Sequence, residues 1–170
     1  ERCSSVKPFM PPAMVAACEC VLVATNHYQL PWIEPPPAAL AAAAAHELDC
    51  LQTALDWPPT QVVAHPFFNG TTAHSTDALF AACDHRRLDE LIDCAVARGV
   101  AFEIQPKFWG EPTAGGLAEL FERLLARGGK VALGSDAHSL AGLDRWAGDM
   151  AAVVARFGLR LEDVWLPRPP

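Results

Sequence analysis

The chain has 170 residues, 51% of them apolar and 19% charged, with a formal net charge of −7. That is the length and apolar content of one globular domain with a proper core, not of a disordered segment. No Lys or Arg falls between Lys7 and Arg86, whereas Glu19, Glu34, Glu47, Asp49, Asp56, Asp77 and Asp84 do, so the first half lacks the clustered cations that a nucleic-acid backbone requires.

The chain opens on Glu1 and not Met, which reads as a piece of a longer protein or a processed one. CVLVAT (20–25) is a short apolar, β-branched run and predicts a strand, followed by a loop with Tyr28, Pro31 and Trp32. PPPAALAAAAAHELDCLQTAL (35–55) places prolines at a helix start and strong helix formers behind them, and Pro58-Pro59 stop it. TQVVAH (60–65) predicts the second strand, ended by Pro66, and a loop rich in Gly, Thr, Asn and His follows over 69–77. RRLDELIDCAVAR (86–98) has Leu88, Leu91, Ile92, Ala95 and Val96 at helical spacing, with Gly99 as its C-cap. VAFEIQ (100–105) and GLAELFERLLAR (116–127) give a third strand and helix, and KVALGS with LDRWAGDMAAVVARF (143–157) a fourth pair closed by Gly158. EDVWLP (162–167) reads as the opening of one further strand. Four consecutive strand–helix units predict an α/β domain with parallel strands, spanning 1–170 as a single unit.

The six cysteines contain no CxxC pair and no zinc-finger spacing. Their scatter over predicted core positions predicts reduced, buried thiols in a cytoplasmic protein, and Cys18-Glu19-Cys20, which leads straight into an apolar run, reads as structural. No stretch approaches the ~20 apolar residues of a membrane span, and there is no signal-peptide pattern.

The six histidines divide on this map. His27, His65 and His138 each stand at or just past the C-terminal end of a predicted strand, and Asp136 stands two residues before His138. Function collects at that end of the strands in parallel α/β barrels. Imidazole is the commonest protein metal ligand, and a carboxylate adds the anionic oxygen that hard or borderline divalent ions prefer. The competing explanation is that Ser135 and Asp136 are turn and cap residues with His138 merely following, but three strands of four ending in histidine favours metal ligation. His46, in an Ala-rich helix, reads as a surface residue, and His74 and His85 as loop and cap residues.

VVAHP (62–66), FEIQ (102–105) and VALGSDAH (131–138), in that order and on strand ends, resemble the later motifs of the PHP (polymerase and histidinol phosphatase) superfamily. VATNHYQLPW (23–32) sits where the bacterial phosphatase branch has a strand ending in a ligand histidine. The resemblance covers essentially the whole chain, and Gly-Ser-Asp-x-His is its more specific element. It implies a distorted, TIM-like (β/α)7 barrel in which two or three divalent ions (Zn, Mn or Fe) hydrolyse a phosphate ester. It implies His27, His65, Asp136 and His138 as metal ligands, and Glu1, by its spacing from His27, as the metal-bridging glutamate. Glu103 is not carried over as a ligand; a core or hydrogen-bonding role is expected for it.

The family's opening His-x-His motif and its next histidine pair are absent, so the resemblance implies the C-terminal two-thirds or so of such a domain, lacking its first strand–helix units. An ester's phosphate needs a cation, for which Arg86, Lys107 and Arg145 are the candidates. The loop QPKFWGEPTAGG (105–116) is expected to border the active face with Phe108 and Trp109. The substrate expected is a small phosphorylated metabolite or nucleotide. Two alternatives stand beside this reading. One is a non-catalytic PHP-like module of a larger protein. The other is an amidohydrolase-type metal hydrolase, against which counts the lack of a strand ending in lysine.

Overall fold

The computed structural model describes residues 10–28, 30, 33–67, 73–106 and 114–167. Its centre is a sheet of four parallel strands, β1 (Leu22–Ala24), β2 (Val62–Ala64), β3 (Ala101–Ile104) and β4 (Val131–Leu133), lying side by side in sequence order. Parallel neighbours need a crossover, and helices supply each one: α2 (Leu40–Asp56) between β1 and β2, α3 (Thr76–Ala81) and α4 (His85–Arg98) between β2 and β3, and α5 (Ala114–Ala126) between β3 and β4. α1 (Pro12–Ala16) precedes the sheet and α6 (Leu140–Phe157) follows it. Strand order that never reverses is the order of singly wound folds, in contrast to doubly wound sheets, whose order turns back at a switch point.

Alternation along the strands sorts the two faces of the sheet. Val23, Val63, Phe102 and Val131 are in register across all four strands and belong to the hydrophobic core with Leu48, Leu51, Leu55, Leu88, Ile92, Leu120 and Leu124 of the helices. α2 packs on α3 and α4, and α5 packs on the same two. The other face carries Ala24 beside Ala64, Ala101 beside Val62, and Glu103 beside Ala132, mostly small side chains with one carboxylate among them.

Local chemistry sets the helix ends. Ser75, Asp84 and Ser139 accept hydrogen bonds from the first-turn amides of α3, α4 and α6, and Gly99 and Gly158 close α4 and α6 at φ 69° and 58°. Four expectations need correction. α2 begins at Leu40, not within the prolines at 35–37, because a residue preceding proline is steered out of the helical region. Thr76 and Asp77 of the expected 69–77 loop are helical, since Ser75 caps α3 there. The segment 162–167 forms a 3₁₀ turn (Leu161–Asp163) and then a single parallel bridge, Val164 to Val131. Cys18 and Cys20 are exposed, unlike the buried Cys50 and Cys83. No described helix is long and apolar enough to cross a membrane.

Candidate functional site

The C-terminal ends of the strands gather the polar interior of the molecule. Thr25 and Asn26 beyond β1, and Glu103 and Gln105 at the end of β3, are all buried. Buried polar groups at one end of a sheet require partners, and part of this set has them. The Glu103 carboxylate accepts hydrogen bonds from the His65 backbone amide (3.1 Å) and from Gln105 Nε2 (2.8 Å). Among the described residues, Thr25 Oγ1 and Gln105 Oε1 are buried without a hydrogen-bond partner, and such groups call for an explanation. The expected hydrogen-bonding role of Glu103 agrees with this geometry.

The four described candidate ligands come together in two pairs. Beyond β1 and β2, the His27 and His65 rings meet edge to face with centroids 5.2 Å apart. Beyond β4, His138 Nε2 lies 4.0 Å from Asp136 Oδ1, with the His138 side chain 86% exposed. Among the described residues no three His, Cys, Asp or Glu side chains stand close enough to hold an ion together. Backbone strain picks out the same places. The non-glycine residues with positive φ among those described are His65 (32°), Phe67 (60°) and Asp136 (44°). Such conformations cost on the order of 1–3 kcal/mol each and concentrate at functional sites. Imidazole and carboxylate groups are donors that suit a borderline divalent ion, but the structure holds these four residues as two separate pairs.

Glu1 and Lys107, with Phe108 and Trp109, lie outside the described residues, as does the Arg145 side chain within α6. Arg86 is in the first turn of α4, 84% exposed and 3.7 Å from Glu90. His74 bonds the Ala38 carbonyl at 2.8 Å, and His85 packs edge-on to Phe80. His46 is half-buried and not a surface residue, 3.6 Å from Cys50 Sγ. A cavity of about 340 Å³ lined by Arg98, Gly128 and Lys130 lies at the opposite, N-terminal end of the strands.

The sequence reading missed Glu47. It is 2% exposed on α2, and its carboxylate accepts from Asn26 Nδ2 (3.1 Å) and from the Tyr28 hydroxyl (2.8 Å). Burial first, and then the Glu47 charge, push the Tyr28 phenol upward. The signal was available: Glu47 stands on the helical stripe of Ala43, Ala44, Leu48, Leu51, Ala54 and Leu55, and a charge on a core stripe is the informative exception.

No protein-family model matches the chain, and no curated protein matches it in sequence. Among solved structures, the crystal structure of histidinol phosphate phosphatase from Lactococcus lactis, complexed with zinc, L-histidinol and phosphate, is similar at a TM-score of 0.62 with 15% identity. The match covers 87% of this chain and 60% of that one, so the chain spans about three-fifths of that protein's length. At this identity the likeness shows the fold alone: an α/β architecture with a parallel sheet.

Proposed function

We propose that the chain is part of a PHP-type metal-dependent phosphoesterase acting on a small phosphorylated metabolite or nucleotide. The observation that supports this best is the meeting of His27 and His65 beyond adjacent parallel strands, in a fold shared with a zinc-complexed phosphatase. In this reading residues 1–170 form one domain, a portion of a distorted (β/α)7 barrel in a cytoplasmic protein. His27, His65, Asp136 and His138, together with Glu1, would hold two or three divalent ions, zinc, manganese or iron. When bound, the ions supply Lewis acidity toward the phosphoryl oxygens and the water that attacks phosphorus. The protein's part would be to supply imidazoles and a carboxylate from the strand ends and to hold the phosphate with a cation, Arg86, Lys107 or Arg145. Glu103 contributes by fixing the His65 backbone.

Elemental analysis of the purified chain, grown with added zinc and manganese, tests the reading against an Asp136→Ala/His138→Ala variant. Metal bound by the parent and lost from the variant is expected, together with metal-dependent hydrolysis of p-nitrophenyl phosphate once the preceding strand–helix units are present. Metal retained unchanged by the variant would remove these two residues from the site. Metal binding without any phosphoester hydrolysis in the extended chain would leave a non-catalytic module.

A further inference from the structure

Building on the proposed metal reading, we infer that Glu47 is a positioning residue for His27, clamping the two residues that flank it to helix α2. Two of the hydrogen bonds that its carboxylate accepts come from outside the helix. They come from Asn26 and Tyr28, one on each side of His27 in the segment after β1. A peptide segment tied down by both flanking side chains has little backbone freedom at the residue between them, so the backbone that presents the His27 ring is held from α2.

The position of the carboxylate argues for a purpose beyond filling space. The rest of this buried stripe is Ala, Leu and Cys50, and a leucine at 47 would continue its apolar run. Burying a carboxylate is costly unless charge-assisted hydrogen bonds offset it, and here those bonds serve the segment that presents His27. Tyr28 is also held against the helix, with its ring 6.1 Å from that of His46. The neighbouring strand end uses the same device: the buried Glu103 carboxylate accepts from the His65 backbone amide. Two buried carboxylates thus fix the two segments whose imidazoles meet at 5.2 Å. Partners that orient metal-binding histidines typically govern affinity 10- to 100-fold.

The test has a metal-free and a metal-dependent arm, applied to the parent chain and to Glu47→Gln, Glu47→Ala and Tyr28→Phe. In metal-free, histidine-labelled protein, the nuclear Overhauser contact between the His27 and His65 rings reports the positioning itself. Zinc alone, titrated calorimetrically, reports its consequence. Glu47→Ala should lose the ring contact and bind zinc ~10- to 100-fold more weakly, while Glu47→Gln, which keeps the shape and one acceptor, retains the contact in part. Tyr28→Phe removes one anchor without removing the carboxylate and should weaken zinc binding ~10-fold with an unchanged circular dichroism spectrum. If Glu47→Ala does not fold, Tyr28→Phe and Asn26→Ala decide the matter by the same two readouts. A ring contact and zinc affinity equal to the parent's in the folded variants would overturn the inference. If the parent binds no zinc, the metal reading fails by itself, and the ring contact still decides whether Glu47 positions His27.

Discussion

Gly134 has no room for a side chain, and the reason lies on the neighbouring strand. A Cβ built at this position collides with the Glu103 carboxylate, whose Cδ and Cγ are 2.5 and 2.7 Å from it. Glu103 cannot step aside without giving up its bonds to the His65 amide and to Gln105. On its far side the Gly134 carbonyl accepts a hydrogen bond from Trp146 Nε1 at 3.0 Å, so the end of β4 is pinned just before Asp136. Gly134→Ala should therefore destabilise the protein by roughly 1–3 kcal/mol in urea denaturation, the usual cost of overpacking a filled site. In a Glu103→Ala background the same change should cost much less, since contacting residues couple and distant ones add. Equal costs in both backgrounds would mean that the carboxylate is not what excludes a side chain at 134.

At the scale of elements, α4 and α5 are joined by a charge network and not only by their apolar faces. Asp89 lies 3.0 Å from Arg123 Nη1 and 2.9 Å from Arg127 Nη2, and Arg127 also reaches Asp93 at 3.2 Å. One carboxylate shared by two guanidiniums, all of them partly shielded, is worth more than an isolated surface pair. Asp89→Asn should cost about 1 kcal/mol at low salt and clearly less at high salt, as read from urea midpoints, because partial exposure leaves the network screened. An unchanged midpoint at low salt would count the network as worth nothing. Elements of this length were readable in the sequence because their signals are local and repeated: periodic Leu88, Leu91, Ile92 and Ala95, the Gly99 and Gly158 caps, and the β-branched or apolar strand cores. α3, at six residues, is too short for periodicity to show, and its capping by Ser75 is a single-residue signal. The strand-end histidines were readable for the same reason as the strands. What pairs them was not: the positive φ of His65 and Asp136 has no sequence mark when the residue is not glycine. Nor does the grip of Glu103 on a residue 38 positions away.

For the molecule as a whole, the buried thiols give a pH dependence whose sign can be worked out. Burial, and after it the Glu47 charge, push Cys50 and Cys83 up to about 12. In the unfolded chain a thiol titrates near 8.5. Between those values the unfolded state has lost protons that the folded state keeps, so stability falls as pH rises. The contribution of each thiol is fully present below the unfolded value and is lost as pH rises toward the folded one, with a slope of at most about 1.4 kcal/mol per pH unit. Urea midpoints from pH 8 to 11 should fall more steeply for the parent than for a Cys50→Ala/Cys83→Ala variant, since other titrating groups act on both alike. Parallel slopes would show that these thiols are not held protonated by the fold. The same carboxylate links this behaviour to the candidate site, because Glu47 acts on Cys50 and Cys83 as well as holding Asn26 and Tyr28. Glu47→Gln should therefore move both thiols downward and flatten the alkaline slope, a change to be expected whether or not a metal is bound between His27 and His65.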